Sequence, residues 1–264
     1  MRLVTYDRGG ARRLGAWVDG AVVDLPDAVG HPSFPTTMEA LVAHNGGTTL
    51  DAARDALGHQ EYVEEFAVRN PRLLAPLLPP SFRGQRDILG PDEELSWPPL
   101  ARSVDYQMEV ACIIGKLGRD ISTDRARSII FGYTLLNDWS TPGNAPRGPA
   151  GAAGTSHRGF AVSLGPCVVT PDEFEPSAGK LRARIDGELW SDGDLASARG
   201  TFTALIAHES RGRDLYPGDV YGSGTFPGGS SLDLGRTLPA GAVVELEADG
   251  IGILRNRVGR PGRR

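Results

Sequence analysis

The sequence predicts an α+β fold that is rich in strands, with a small N-terminal α+β unit followed by a β-rich roll. Residues 110–114 are all small or apolar and end at Gly115, which is the pattern of a buried strand. From Phe160 onward, short strand-forming runs alternate with turns that contain Gly or Pro, as is typical of a roll. Before residue 78, strand-like runs give way to segments with helix-capping residues, which indicates the small α+β unit.

The N-terminal unit is predicted to begin with strands and to continue with helices. Asp19-Gly20 separates two strand-like runs, and this pair favours a tight hairpin because the turn needs positive φ. Thr37 and Thr49 each precede an acidic residue at the start of a helical pattern, so each can cap a helix. The predicted strands are 2–6, 15–18 and 21–24, and the predicted helices are 36–43, 49–57 and 60–68.

The Pro-rich stretch at 76–84 has the composition of a linker, and we expect two domains, 1–78 and 79–264. In the second domain, Ser122 is placed to cap a helix at 122–130. A further helix is predicted at 201–209, with His208 exposed in its last turn.

Composition limits the classes of partner and the compartment. The 264 residues carry a formal net charge of −5, which argues against nucleic acid as a partner because phosphate binding needs a basic face. Cys112 and Cys167 both lie in apolar runs, which favours buried free thiols in a reducing compartment. No apolar stretch approaches the ~20 residues of a membrane span, so we expect a cytoplasmic protein.

Polar side chains enter the strand that ends at Gly115. Asp105, Gln107 and Glu109 are spaced by two, so an extended chain projects them from one face. Asp138 ends a second apolar run just before a Gly- and Pro-rich loop, where functional residues concentrate. Glu109 and Asp138 together offer hard oxygen ligands for Mg²⁺, Ca²⁺ or Mn²⁺, while the alternative is a solvated sheet edge.

Several ordered motifs resemble the fumarylacetoacetate hydrolase (FAH) superfamily over roughly the C-terminal two-thirds of the chain. The resemblance implies that superfamily's mixed β-sandwich roll, and it implies a homodimer formed through that domain. The motifs are DYQMEVACIIG at 105–115, GYTLLND at 132–138, FAVSLGP at 160–166, VVTPDE at 168–173, PGDV at 217–220, GSGT at 222–225 and GIGILRNRV at 250–258.

The resemblance also implies a divalent metal, with Mg²⁺ first and Mn²⁺ or Ca²⁺ as alternatives, held at the positions of Gln107, Glu109 and Asp138. The chain departs from the family pattern at Gly84, where an aspartate ligand is expected, and at Gln107, where a glutamate is expected. Both changes remove negative charge, so we expect weaker metal binding. Asp87 is a candidate replacement for the missing aspartate.

The family's lysine corresponds to Arg158, and the family's histidine base has no counterpart between residues 60 and 157. Arg158 is therefore a candidate for the anion-stabilising group, because a guanidinium binds a carboxylate or enolate in a bidentate way. Glu109 and Asp138 are then its counterions or the general acid and base, and His157 is a candidate relocated base. The alternative is a buried ion pair among these charges without chemistry.

The remaining candidates bind substrate. Gly224 and Thr225 lie in a glycine-rich loop whose N–H groups can hold a carboxylate, and Gln107 and Tyr133 are further candidate contacts. We expect a divergent enzyme acting on a β-dicarbonyl or β-keto-acid-like molecule by C–C hydrolysis, decarboxylation, tautomerisation or cyclisation through an enolate, in specialised biosynthesis. The alternative is a non-catalytic protein of this fold that binds a small acid or a protein partner.

Overall fold

The computed structural model describes residues 1–44, 47–82, 86–142, 159–197 and 200–262. The strand-rich α+β fold expected from the sequence is confirmed. In chain order, the elements are β1 Arg2–Arg8, β2 Ala11–Val18, β3 Ala21–Asp24, α1 Leu25–Val29, α2 Met38–His44, α3 Gly47–Gly58, α4 Gln60–Glu65, β4 Ala67–Val68, β5 Leu73–Leu74, β6 Asp87–Leu89, β7 Glu94–Leu95, β8 Met108–Ile114, α5 Thr123–Ala126, β9 Ile130–Trp139, β10 Ala161–Val169, β11 Lys180–Ile185, β12 Glu188–Asp194, α6 Phe202–Glu209, β13 Val220–Gly222, β14 Val243–Ala248 and β15 Gly252–Val258.

The local structure of the N-terminal segment follows its turn and cap residues. Asp19 and Gly20 have φ angles of 48° and 85°, so the hairpin predicted between β2 and β3 is confirmed. The helix predicted at 60–68 is shorter, because α4 ends at Glu65 and the chain turns into β4. Val68 then pairs with Val22 of β3, so sheet pairing replaces the last helical turn.

The larger sheet runs through both halves of the sequence. Its order within the described residues is β13-β8-β9-β10-β1-β2-β3-β4, with β5 also paired to β1 and β6 also paired to β10. Leu3 of β1 pairs with Val168 of β10, so the N-terminal segment continues the sheet of the second part. The domain boundary at residue 78 stays a prediction, and the two parts share this sheet.

Each face of the larger sheet is covered by a different layer. The smaller sheet, in the order β12-β11-β14-β15-β7, packs on one face through residues such as Leu181 and Leu246. The N-terminal helices pack on the opposite face, where Leu25 and Met38 meet Leu136 of β9. Neighbouring strand residues alternate between these two layers, so the parity of a residue decides which layer it meets.

The helices of the second part are short. The helix predicted at 122–130 is present only as α5 and a 3-10 turn at Arg127–Ile129, after which β9 begins. The prediction for α6 is confirmed, since the Thr201 side chain accepts the Ala204 N–H and His208 is exposed. Cys112 and Cys167 are buried free thiols. Among the helices that the structure describes, none is long and apolar enough to cross a membrane.

Candidate active site

Strands β8 and β9 place three of the predicted site residues on one face of the larger sheet. The Asp138 N–H donates to the Gln107 carbonyl at 3.0 Å, and Glu109 pairs with Leu136. Paired residues of antiparallel strands share a face, as do residues two apart on one strand. Gln107, Glu109 and Asp138 therefore project from the same side, and Glu109 and Asp138 occupy diagonal positions roughly 7–8 Å apart at Cα.

Asp105 shares this face but serves as an anchor. Its buried carboxylate accepts hydrogen bonds from the Ser231 N–H at 2.8 Å, from the Ser231 hydroxyl and from the Leu232 N–H at 3.4 Å. Burial raises the pKa of Asp105, and these hydrogen bonds oppose the rise. Asp105 therefore fixes the segment at 230–232 against the start of β8 through its Oδ1 atom.

Glu109 is a second buried carboxyl group on this face. Its carboxylate accepts the Gly224 N–H at 3.1 Å, and a Cβ on Gly222 would lie 2.1 Å from its Oε2 atom. Burial, and then the neighbouring charge of Asp138, raise the pKa of Glu109 to about 7, although Gly224 and Arg86 act in the opposite direction. The side chain therefore exchanges a proton near neutral pH, which suits a general acid or base.

Asp138 is paired with a cation that the sequence analysis did not identify. The Arg86 guanidinium donates from Nη1 to Asp138 Oδ1 at 2.9 Å, and the two side chains are 27% and 21% exposed. Burial raises the pKa of Asp138 and outweighs the opposing effect of Arg86. A Cβ on Gly159 would lie 1.7 Å from Asp138 Oδ1, so only glycine fits at that position. The pair is packed tightly yet remains accessible to solvent.

Arg86 reaches the site through a short parallel strand. Strand β6 pairs with β10 in the register Asp87 to Ala161, and β10 pairs with β9 in the register Val162 to Asp138. Arg86, the residue before β6, therefore lies beside Asp138. Asp87 is exposed and lines a surface cavity with Arg72, so the structure does not place this candidate ligand beside Asp138.

Gln107 and the loop after β13 complete the polar surroundings. The Gln107 amide donates from Nε2 to the Ser140 hydroxyl at 3.2 Å. Gly224 has a φ of 73°, a conformation that favours glycine, and its N–H is thereby turned to Glu109. The Thr225 hydroxyl oxygen is buried and has no hydrogen-bond partner among the described residues. A buried hydroxyl left without a partner is costly, and the role predicted for Thr225 as a substrate contact stays a prediction.

Tyr133 is not brought to this set. It pairs with Cys112, and both belong to the core between the two sheets, on the face opposite Glu109. Tyr133 and Asp138 are five residues apart on one strand, and an odd separation places side chains on opposite faces. Its predicted role as a substrate contact beside Glu109 therefore disagrees with its position.

Three other sequence-based assignments lie outside the described residues. They are Gly84, Arg158 and His157. The roles predicted for Arg158 as the anion-stabilising group and for His157 as a relocated base stay predictions. Arg86 is the guanidinium that the described residues place at Asp138.

The described side chains do not fit the metal site that the resemblance implies. Glu109 and Asp138 supply two carboxylates, but Arg86 already compensates the charge of Asp138 at 2.9 Å and opposes a divalent cation at the same oxygen. Gln107 contributes only a neutral amide where the resemblance expects a carboxylate. Across the described residues, no group of three His, Cys, Asp or Glu side chains is placed to hold a metal ion.

With this fold and site in place, comparison with known proteins gives the family. The family model described as "Fumarylacetoacetate (FAA) hydrolase C-terminal" matches residues 51–259. The chain belongs to the fumarylacetoacetate hydrolase family. The superfamily resemblance found in the sequence motifs is thereby confirmed.

Similar family members come from distant organisms. Protein MJ1656 of Methanocaldococcus jannaschii is 33% identical over 161 residues, which cover 61% of this chain and 64% of that protein. The mitochondrial oxaloacetate tautomerase Fahd2a of Rattus norvegicus is 28% identical over 277 residues, which cover 93% of this chain and 86% of that protein. Relatives in this family with named activities include tautomerases and hydrolases, which supports an enzyme in general.

A solved structure confirms the family fold. Maleylpyruvate hydrolase from Sphingobium sp. SYK-6, in complex with manganese(II) ion and pyruvate, superimposes with a TM-score of 0.75 at 20% identity. The match covers 99% of this chain and 100% of the hydrolase chain. The likeness shows the FAH fold, and the manganese belongs to that hydrolase.

Proposed function

We propose that the chain catalyses keto–enol tautomerisation of a small 2-oxo or 3-oxo carboxylic acid. This reaction lies within the wider class of enolate chemistry on β-dicarbonyl and β-keto-acid-like molecules. The observation that carries the proposal is Glu109, a buried carboxyl on a rigid strand with a pKa of about 7. A pKa near the working pH gives a residue that both removes and returns a proton efficiently.

Glu109 performs both proton transfers in this proposal. Its carboxylate removes a proton from the carbon next to the substrate ketone, and the C–H electron pair forms the C=C bond of an enolate. Protonated Glu109 then returns the proton to the enolate oxygen, which gives the enol and regenerates the carboxylate. Atoms and charge balance without water or another reactant, and the reverse direction uses the same steps.

Arg86 is the group proposed to stabilise the negative charge of the substrate. A guanidinium offers five N–H donors and stays protonated. Asp138 accepts a hydrogen bond from only one of its nitrogens, Nη1. Its 27% exposure leaves further donors accessible to a carboxylate or an enolate oxygen. Asp138 holds the guanidinium in place, and the unpartnered Thr225 hydroxyl supplies a further hydrogen bond to the ligand.

Tautomerisation is favoured over C–C hydrolysis because it makes fewer demands on the site. Hydrolysis needs a second base or a metal to activate water, in addition to the group that handles the enolate. In the described part of the site, Glu109 is the group with a pKa near neutral pH. The charge of Asp138 is compensated by Arg86. The rat relative that covers 93% of this chain is named as an oxaloacetate tautomerase, which supports the same choice.

The decisive experiment measures proton exchange directly. Purified protein is incubated with oxaloacetate in D₂O, and exchange at the carbon between the carbonyls is followed by NMR beside the ultraviolet absorbance of the enol. We expect wild-type protein to accelerate both deuterium exchange and enol formation. In Glu109→Gln, the rate of exchange should be about 10²–10⁴-fold lower than in wild type. Glu61→Gln, which removes an exposed glutamate from α4, is the matched control and should retain the wild-type rate. Wild-type rates in Glu109→Gln would overturn the proposal.

A second candidate function is non-catalytic binding of a small acid. The observation in its favour is the Arg86–Asp138 pair, because an ion pair can close the old catalytic pocket without performing chemistry. Calorimetry with oxaloacetate separates the two functions. Saturable binding without any acceleration of exchange would support the binding protein and contradict the enzyme.

Assembly and compartment remain proposals that accompany this function. We infer a homodimer from the family resemblance, which sedimentation analysis would test. A cytoplasmic location and the lack of a nucleic-acid partner are proposed from composition and charge, and a small-molecule substrate is proposed from the family resemblance.

A further inference from the structure

A second cavity lies on the face of the larger sheet opposite Glu109. Its volume is about 290 Å³, and it opens between the sheet and the segment that carries α6. The apolar part of its wall comes from Val110, Leu195, Phe202 and Leu205. Glu109 precedes Val110 on β8, and adjacent strand residues point to opposite faces, so the cavity is separate from the candidate active site.

The Tyr133 hydroxyl is the unexplained polar group of this cavity. Tyr133 lines the wall and is only 2% exposed, and its ring contacts those of Phe174 and Phe202 at centroid distances of 5.3 Å each. None of the hydrogen bonds between described residues involves its hydroxyl. Tyrosine hydroxyls in protein interiors usually find a hydrogen-bond partner, and a ligand oxygen in this cavity could supply one.

Among the described residues of the rim, the charges are balanced, which favours a neutral ligand. Arg127 and Glu175 both line the cavity, and they form an ion pair at 3.3 Å. Their charges therefore compensate each other. The other polar groups of the rim are hydroxyls, including those of Thr201 and Thr203, which hydrogen-bond to each other at 2.9 Å. A charged ligand would find no uncompensated partner among these described residues.

The volume sets the size of the ligand. A dry apolar cavity of roughly 150 Å³ holds benzene, so about 290 Å³ has room for a substituted aromatic ring. We propose that this cavity binds a small neutral aromatic molecule with one hydrogen-bonding oxygen, which the Tyr133 hydroxyl receives while the ring packs on Phe202 and Leu205. This site is independent of the proposed tautomerase activity, because it uses the other face of the sheet.

The test uses phenol and acetophenone as neutral probes and benzoate as the charged comparison. Binding is measured by calorimetry on the full chain and confirmed by ligand-observed NMR. We expect saturable one-site binding of both neutral probes and weaker binding of benzoate. Tyr133→Phe should weaken the neutral probes about fivefold, the effect of one lost hydrogen bond of about 1 kcal/mol.

Blocking and control variants make the result specific. Ala196 is exposed at the rim, so Ala196→Trp obstructs the entrance without disturbing the core and should abolish binding. Ala204→Trp, at an exposed position of α6 outside the lining, and Tyr216→Phe, which removes an exposed hydroxyl, should bind as wild type. Glu109→Gln should also retain binding, which separates this site from the active site. Absence of saturable binding, or binding unchanged by both Tyr133→Phe and Ala196→Trp, would overturn the proposal.

Discussion

The guanidinium of Arg86 hydrogen-bonds Asp138 Oδ1 at 2.9 Å across a separation of 52 residues. The pair places a permanent positive charge beside Glu109, where it lowers the pKa that burial has raised. The electrostatics of the face thus depend on a cation that lies just after the Pro-rich stretch at 76–84, the predicted linker. Arg86 is therefore the first residue to substitute in a test of the site.

Arg86→Met should reduce kcat/KM for oxaloacetate by about 10²-fold, because the negative charge of the substrate loses its stabilising donor. Arg86→Lys should fall between Met and wild type, since an ammonium keeps the charge but lacks the bidentate fork. Steady-state kinetics of enol formation measure both effects. Arg54→Met removes a surface guanidinium paired with Asp51 and should change nothing. A rate within twofold of wild type in Arg86→Met would exclude this role.

Glu109→Gln should alter how stability depends on pH. The folded-state pKa of about 7 lies above the ordinary value of 4.5, so the folded state favours the protonated form. Between these values the folded state binds more protons than the unfolded state, so wild-type stability falls as pH rises and stays low above 7. The penalty at pH 8 is on the order of 3 kcal/mol. Urea unfolding should therefore show the variant gaining stability relative to wild type from pH 4 to pH 8, and a constant difference would contradict this.

Gly159→Ala and Gly222→Ala should impair the site without unfolding the protein. A Cβ at these positions would approach the oxygens of Asp138 and Glu109 to 1.7 Å and 2.1 Å, so each carboxylate must move. We expect stability losses of about 1–3 kcal/mol and at least tenfold slower proton exchange. Gly58→Ala, where a Cβ would meet nothing within 4 Å, is the control. Thermal unfolding and NMR exchange together give the answer, and unchanged exchange in both variants would show that these carboxylates need no fixed position.

Thr225→Val should separate ligand binding from folding. The Thr225 hydroxyl is buried without a partner, so its removal should leave stability unchanged or raise it by up to about 1 kcal/mol. The KM for oxaloacetate should rise severalfold because the ligand loses a hydrogen bond. Thr134→Val is the matched comparison, since the Thr134 hydroxyl donates to the Gly165 carbonyl and its loss should destabilise the fold. Equal destabilisation in the two variants would indicate a structural role for Thr225.

Calorimetric titration of chelator-treated protein with Mg²⁺ and Mn²⁺ should show no saturable binding tighter than about 1 mM. The reason is the charge at the site, where Arg86 compensates Asp138 and Gln107 contributes a neutral amide. Saturable binding that disappears in Glu109→Ala would show that the family's metal site survives. Hydrolysis and decarboxylation would then replace tautomerisation as the leading reactions.

The common face of Gln107, Glu109 and Asp138 could be predicted in part from sequence, because a spacing of two in an extended chain fixes the side to which residues project. The same rule predicts the position of Tyr133. Its odd separation from Asp138 along β9 places its side chain on the opposite face of the sheet. Tyr133 was a candidate substrate contact with packing as its alternative, and parity places it in the packed core.

The role of Arg86 could not be predicted in this way. It depends on pairing between the three-residue strand β6 and β10, and a strand that short has no distinctive hydrophobic pattern. The pKa of Glu109 likewise depends on burial under the loop that contains Gly224, a contact between residues 115 apart in the chain. Pairings over such distances are decided by the packing of the whole sheet.

The pairing of β1 with β10 has a consequence for synthesis of the chain. Arg2 finds its partner Val169 only after the intervening residues have been made. At about 5–20 residues per second, the first strand leaves the ribosome on the order of 10 seconds before β10 exists. During that interval Arg2 and Leu3 lack their partners on β10, so the hairpin with β2 must protect this strand. The Asp19-Gly20 hairpin beyond it helps to keep the nascent segment out of wrong pairings.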